Sequence, residues 1–298
     1  MLRASIVIPA LNEEKNLARS LPMIRAQLSE RDEIIVVDNG STDNTALVAA
    51  SHGAKVIAEP IRNRSRSRNA GFLISQGQYL VFLDGDCYPE EDWLELLLKP
   101  FSDPGVGCVA GEIRILNDAY GLEAYLSNKG YLSQADNFKH PFLPYAGGAN
   151  VAFRRSILER IGLFDEQLFS GHDADLCWRM QLQTGSQIVL ISDASVSHFQ
   201  KTSWRALFHQ KRRHAHGAVL LYKKYRSYRR SELRPLKQVY WEYRSISRRA
   251  AEFTWRCFKS AVGLAESNTA AADYQLLLEV AEKFGRIEGS LRHCIWFP

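Results

Sequence analysis

Two carboxylates flank a glycine at Asp84-Gly85-Asp86, directly after the apolar run Tyr79-Leu80-Val81-Phe82-Leu83. Oxygen donors of this kind suit a hard divalent cation, Mg2+ or Mn2+, and such a cation also grips diphosphate oxygens. Gly85 lets the backbone bend closely between the two acids. The same three residues also occur as an ordinary polar turn that caps a helix, so their weight comes from their position. Comparable positions are held by Asn12, after the strand-like stretch at residues 4–9, and by Asp38-Asn39, after Glu33-Ile34-Ile35-Val36-Val37.

The elements that must position these groups alternate. Residues 4–9 are apolar and end at Pro9. A helical pattern with Leu17, Leu21, Ile24 and Leu28 at helical spacing follows. Residues 33–37 form a second strand, and Ser41-Thr42-Asp43 are placed to cap a helix. Residues 55–57 form a third strand, residues 66–75 a helix, and residues 79–83 a fourth strand. Continuously apolar strands separated by helices imply a parallel α/β sheet covered on both faces. Ligands of such sheets bind beyond the carboxyl ends of the strands. Asn12, Asp38, Asn39 and Asp84 therefore converge on one edge by topology. Further on, residues 92–101 read as helix, 106–115 and 186–191 as strand, and 117–145 as a mixture of helix and loop. Long basic and aromatic helices run from Ser203, with breaks expected at Pro235 and at residues 267–269.

Several ordered motifs extend this reading. They are Ser5-Ile6-Val7-Ile8-Pro9-Ala10-Leu11-Asn12-Glu13, Val36-Val37-Asp38-Asn39-Gly40-Ser41-Thr42-Asp43, Arg68-Asn69-Ala70-Gly71 and Leu83-Asp84-Gly85-Asp86. Gly147 to Arg155, Gly162-Leu163-Phe164-Asp165-Glu166 and Asp173-Ala174-Asp175-Leu176-Cys177-Trp178-Arg179 continue the series. Together, over residues 4–215, they resemble the family 2 glycosyltransferases of GT-A fold. The resemblance implies a Rossmann-like, mixed but mainly parallel sheet with a helical C-terminal region. It also implies inverting transfer from a nucleotide diphospho-sugar to an acceptor hydroxyl of a glycan, a lipid-linked molecule or a small molecule. UDP-sugars are the favoured donors, with GDP-sugars as the alternative.

The resemblance assigns roles by position. Pro9, Asn12 and Glu14 lie in the first nucleotide loop. Asp38 and Asn39 meet base and ribose; the family often has Asp where Asn39 stands, and Asn offers a base edge both donor and acceptor. Arg68 corresponds to an arginine near the diphosphate. Asp84 and Gly85 lie at the nucleotide-sugar, and Asp84, Asp86 and His198 at a Mn2+ or Mg2+ ion. Gly148, Asn150 and His172 fall on the acceptor side. Asp173 is the expected base. Direct transfer needs one carboxylate to take the acceptor proton, while the metal offsets the charge of the leaving diphosphate. His172 stands where the family usually has Glu, and Asp175 is expected to serve the start of the following helix. Gln210-Lys211-Arg212-Arg213-His214 echoes a motif of processive relatives, with His in the place of Trp, and would put Arg213 near diphosphate.

Two other classes share features of this pattern. A sugar nucleotidyltransferase would carry a Gly-rich Lys/Arg loop where Ala10-Leu11-Asn12-Glu13 stands, and a non-catalytic nucleotide-sugar-binding protein on the same fold is the other alternative. Composition bounds the rest. In 298 residues, 46% are hydrophobic and 24% charged, an ordinary globular balance. Five cysteines without a C-x-x-C pair argue against a disulfide framework and fit the cytosol. No stretch is apolar enough for a signal peptide or a membrane span. Residues 1–200 are expected to form the nucleotide-sugar-binding and catalytic domain, and residues 201–298 a basic helical region. Between Lys201 and Arg256 there are 16 Lys/Arg against 3 Glu, a balance of +13, so the remainder carries −8 of the net +5. Tyr222, Tyr225, Tyr228, Tyr240, Trp241, Tyr243 and Trp255 interleave with these bases. That pattern fits an amphipathic helical cap, and equally a peripheral contact with the inner face of a membrane or a lipid-linked acceptor. No nucleic-acid-binding motif is present.

Overall fold

The computed structural model describes residues 2–115, 125–126, 129–198, 203–228, 236–261 and 271–297. Strands β1 (Leu2–Ala10), β2 (Asp32–Asp38), β3 (Lys55–Ala58) and β4 (Gly77–Leu83) pair in parallel in the order β3-β2-β1-β4. Helices α1 (Glu14–Arg25), α2 (Thr45–Ser51) and α3 (Arg64–Ile74) connect them. Beyond β4 the sheet continues through β7 (Asn150–Arg154), β6 (Val106–Ile115), β8 (Gln187–His198) and the short β5 (Cys87–Pro89). β7 runs antiparallel to β4 and β6, β6 and β8 are parallel, and β5 is antiparallel to β8. The sheet is thus mixed and mainly parallel. The remaining helices of this part are α4 (Trp93–Leu98, followed by a 3-10 turn at Lys99–Ser102), α5 (Gln134–Asn137), α6 (Arg155–Ile161) and α7 (His172–Thr184).

The period of two along each strand divides the core. Ile6, Ile8, Val36, Val81 and Leu83 face one side, where Leu17, Leu21 and Ile24 of α1 and Trp93 and Leu97 of α4 cover them. Val7, Ile35, Val37, Leu80 and Phe82 face the other, against Phe72, Leu158, Leu176 and Met180. Each large aliphatic side chain buried this way contributes about 1.5–3 kcal/mol. The central strands are buried on both faces, which is why they read as unbroken apolar runs.

Three boundaries differ from the sequence expectation for local reasons. α3 begins two residues early because Asn63 caps it, its Oδ1 accepting from the N–H groups of Ser65 (2.9 Å) and Arg66 (3.3 Å). α2 starts at Thr45, served from just outside by Asp43, whose Oδ1 accepts the Thr45 N–H at 3.1 Å. β8 runs seven residues beyond Ile191, to His198, because its second half gains β5 as a partner. The breaks expected at Pro235 and at 267–269, and part of the 117–145 region, lie outside the described residues.

The chain divides into two compact units, one of Met1–Asp118 and Leu126–Gln200, the other of Ala119–Tyr125 and Lys201–Pro298. The second holds α8 (Trp204–Tyr225), α9 (Leu236–Ala261) and α10 (Ala271–His293). Ser203 caps α8, its Oγ accepting the Ala206 N–H at 3.1 Å. α8 and α10 pack closely. Lys211 pairs with Glu282 at 3.4 Å and Arg212 with Glu288 at 2.8 Å, so two bases of the Gln210–His214 stretch are engaged inside this unit. Among the described residues no helix is long and apolar enough to cross a membrane.

Candidate active site

The loops at the carboxyl edge of β1 and β2 are latched to each other. Asn12, in the left-handed region at φ 56°, accepts the Thr42 N–H on Oδ1 (2.8 Å) and donates its own N–H to Ser41 Oγ (3.0 Å). Glu14 accepts from the Asn44 N–H and side-chain amide, each at 3.2 Å. Asp38 Oδ1 accepts the Ser41 N–H at 2.9 Å. Pro9 lies in β1 beside Val37, and a side chain at Gly85 would come within 3.6 Å of the Pro9 carbonyl, so the Asp84-Gly85-Asp86 turn lies against the end of β1. Asn12, Glu14, Asp38 and Asp84 therefore gather at one edge, and the first three hold the loop backbone in place.

Arg68 forms the centre of the site. It lies on α3, is only 2% exposed, and donates from one nitrogen to Asp84 Oδ1 (2.8 Å) and from another to Asp173 Oδ1 (3.2 Å). The same nitrogen that reaches Asp173 lies 3.0 Å from His172 Nε2, and the guanidinium carbon is 5.4 Å from the centre of the Phe164 ring. Its neighbour Asn69 anchors α3 from the other side. Its amide donates to the Phe164 carbonyl and its Oδ1 accepts the Phe164 N–H, both at 3.0 Å. The Arg68-Asn69 and Gly162–Glu166 motifs, about a hundred residues apart in sequence, thus meet directly. Gly148 completes the arrangement, since a Cβ there would stand 2.6 Å from Arg68 Cζ and from Asp173 Oδ1.

Asp173 sits in the first turn of α7, where unpaired helix N–H groups favour an anion. Burial works against its charge, but His172, Arg68, the Gly148 N–H and Arg64 together outweigh it and hold the carboxyl below its usual range. His172 moves below the ordinary imidazole value, chiefly through burial and also through the two arginines, against the opposing pull of Asp173. A neutral imidazole whose Nε2 accepts from Arg68 follows. Asp175 is fully buried and pairs with Arg179 at 2.9 Å. That guanidinium also donates to the Ile161 and Leu163 carbonyls, which ties the start of α7 to the end of α6.

The cation candidates lie one turn along. β5 follows the Asp84-Gly85-Asp86 turn and pairs Cys87 with His198, which brings His198 Nε2 to 3.3 Å from Asp86 Oδ1. Among the described residues, the cluster with donor atoms within 4.8 Å of one another is Asp86, Cys87 and His198. Asp84 stands with Arg68 rather than in that cluster. Cys87 is buried, and burial with the nearby Asp86 and Asp84 pushes its thiol well above the ordinary value, so it stays protonated. Burial opposes the charge on Asp86, yet the His198 hydrogen bond and charge leave its carboxyl below the usual range. Burial likewise opposes the imidazolium, yet Asp86 and Asp84 raise the pKa of His198. A carboxylate oxygen beside an imidazole nitrogen fits Mn2+, and Mg2+ through the carboxylates.

Two of the expected site residues are held by internal hydrogen bonds. Asn39 is buried. Its amide donates to the carbonyls of Glu59 (2.7 Å) and Ile61 (2.8 Å), and its Oδ1 accepts the Asn63 N–H (3.1 Å). Both amide hydrogens are committed to the loop that leads into α3. Asn150 is fully buried and accepts from Trp93 Nε1 (2.8 Å) while donating to the Glu112 (3.0 Å) and Ala194 (2.9 Å) carbonyls. It ties β7 to β6, β8 and α4. His172 is turned inward against Arg68 and Phe164. One residue escaped the sequence reading. Arg64 is solvent-exposed, and its charge is favoured most by Asp84 and further by Asp86, Asp173 and Glu13, against some burial. Its signal was its i, i+4 spacing to Arg68, which places both on one face of α3.

Residues 5–162, more than half of the chain, match the family described as Glycosyl transferase family 2, and the chain belongs to that family. It is 31% identical over 210 residues to the pre-mycofactocin glycosyltransferase of Mycobacterium tuberculosis, covering 67% of this chain and 43% of that protein. It is 32% identical over 179 residues to the glycosyltransferase AglE of Haloferax volcanii, covering 57% of this chain and 58% of that one. The chain thus spans about half the length of these curated relatives. Among solved structures, the mannosyltransferase PcManGT from Pyrobaculum calidifontis, in complex with GDP-Man and Mn2+, superimposes with a TM-score of 0.64 at 18% identity, over 96% of this chain and 86% of that one. Glucosyl-3-phosphoglycerate synthase from Mycobacterium tuberculosis, in complex with Mn2+, UDP-glucose and phosphoglyceric acid, gives 0.57 at 20% identity, over 73% and 79%. The fold is therefore that of the GT-A glycosyltransferases.

Proposed function

We propose that the protein transfers a glycosyl group from a UDP- or GDP-sugar to a hydroxyl of a carbohydrate or lipid-linked acceptor, inverting the anomeric centre. The observation that carries this reading is the buried Arg68, which bridges Asp84 on the donor side and Asp173 at the head of α7 while Asp86 and His198 stand alongside. In the reaction, Asp173 accepts the proton of the acceptor hydroxyl. The acceptor oxygen bonds to the anomeric carbon, the bond from that carbon to the diphosphate breaks, and its electron pair leaves with the nucleoside diphosphate. No second acid is needed. Mn2+ or Mg2+, when bound, neutralises charge on the departing diphosphate; Asp86 and His198, with Asp84 next to them, would hold it. In this reading Arg64 meets the diphosphate, while Arg68 keeps Asp173 ionised and oriented. The latched loops around Asn12, Glu14 and Asp38 frame the nucleoside, with Asn39 fixing their base.

The test separates donor binding from chemistry. With Mn2+ present, one of a panel of UDP- and GDP-sugars should raise the melting temperature; saturation at a hundredfold over Kd adds about 2.7 kcal/mol of stability. Asp173→Asn should keep that shift and lower turnover by about 10²–10⁴-fold. The absence of a shift with every donor would overturn the reading as a whole, and full activity in Asp173→Asn would overturn the assignment of the base.

A further inference from the structure

The second unit carries a helix with two contrasting faces. α9 is 26 residues long, about 39 Å at helical rise, and has a strongly two-sided character. Its inner side carries the contacts with α10. Val239 and Ile246 are buried, Lys283 pairs with Glu242 at 3.0 Å, and Arg249 and Arg256 pair with Glu279 and Asp273. The outer side is different. Tyr240, Trp241, Trp255 and Phe258 are 58, 53, 57 and 53% exposed. At about 100° per residue all four fall within an arc of roughly 100°. Lys237, Arg244, Arg248 and Lys259 fall within the same arc. No acidic residue shares it; Glu252, at its margin, pairs with Arg248 at 3.6 Å.

We propose that this outer face of α9 docks on an anionic lipid bilayer, with the helix lying in the plane of the interface. Aromatic rings that carry an apolar body, set among Lys and Arg on one face of a helix, match the boundary between headgroups and acyl chains. Bases near an anionic surface add electrostatic attraction. The aromatic faces are already engaged along the helix itself. Arg244 lies 5.2 Å over Trp241, Lys259 lies 5.3 Å over Trp255, and Trp255 stacks on Phe258 at 5.5 Å. Stacking of nucleic-acid bases needs open ring faces lining a groove, whereas here the surface is the convex side of one helix. Residues 251–258 are exposed all round the helix, so Trp255 and Phe258 gain cover when the outer face is laid on lipid. This inference is independent of the catalytic reading.

The test uses the full chain and sedimentation with vesicles, either of phosphatidylcholine alone or with phosphatidylglycerol making up a third of the lipid. Binding should favour the anionic vesicles by at least about tenfold, and tryptophan emission should shift to the blue on binding. Trp241→Ser with Trp255→Ser, and separately Lys237→Glu with Arg244→Glu, should each weaken binding by at least about tenfold, because all four positions face solvent and only the contact with lipid is removed. Circular dichroism and the melting temperature of both double variants should match the parent. Unchanged sedimentation in these variants overturns the proposal. So does equal binding to neutral vesicles, tighter binding to an oligonucleotide than to anionic vesicles, or a concentration-dependent dimer that Trp241→Ser with Trp255→Ser abolishes.

Discussion

Replacement of Arg68 by Ala tests the centre of the site most directly. The guanidinium is 2% exposed and bridges side chains that are 17% (Asp84) and 26% (Asp173) exposed. Removing one partner of a buried ion pair costs about 3–5 kcal/mol, because the other charge stays behind without compensation. Here two carboxylates and His172 Nε2 are left without their donor, but water reaches both carboxylates, so about 2–4 kcal/mol is expected. For a domain of this size each kcal/mol lowers Tm by about 2–4 °C, which gives a fall of about 4–16 °C by calorimetry. The pH dependence carries a second signature. The folded-state pKa of Asp173 lies below its unfolded value. Its contribution to stability is therefore present above the unfolded carboxyl range and lost as pH falls through the lower folded value. Without Arg68 the remaining support is His172, the Gly148 N–H and Arg64. The pKa of Asp173 rises, and the acid limbs of both kcat and stability move to higher pH. Arg68→Lys should fall between the two, since one ammonium lacks the fork that serves both acids. An unchanged Tm together with an unshifted acid limb in Arg68→Ala would refute the proposed clasp.

Three further outcomes follow from the same geometry. Gly148→Ala places a methyl 2.6 Å from Arg68 Cζ and Asp173 Oδ1, so it should displace the base and lower kcat by about 10²-fold with little change in donor affinity by thermal shift; wild-type turnover would show that the contact relaxes freely. Asn39→Asp removes both donors to the Glu59 and Ile61 carbonyls and should destabilise the protein by about 2–3 kcal/mol without switching nucleotide preference, as read by denaturant unfolding and a donor panel. In the metal-free protein the raised pKa of His198 means that its pairing with Asp86 stabilises at low pH and fades as pH rises through that pKa. Mn2+ binding needs the neutral ring, so Mn2+ affinity by calorimetry should rise over the same interval and lose that pH dependence in His198→Ala.

The alternation of strands and helices over the first half, the covering of both sheet faces and the gathering of Asn12, Asp38 and Asp84 at one edge were legible in the sequence. Each depends on local periodicity and on a chain direction that parallel strands enforce. Asp84-Gly85-Asp86 was legible for the same reason, as a turn fixed by the strand before it. What the side chains do at that edge was settled by the fold. Asn39 and Asn150 carry the residue type of a recognition group, yet their amides satisfy backbone carbonyls supplied by segments about 20 to 44 residues away, Glu59 and Ile61 for one and Glu112 and Ala194 for the other. Those partners come together only on folding, because a buried polar atom must be paired and sequence spacing does not say with what. The bridge from Arg68 to Asp173 spans 105 positions, and the approach of His198 to Asp86 follows from the β5–β8 register. The sequence set the inventory of charges and the edge they share. The tertiary structure decided which carboxylate meets the arginine, which meets the imidazole, and which face of α9 is left exposed.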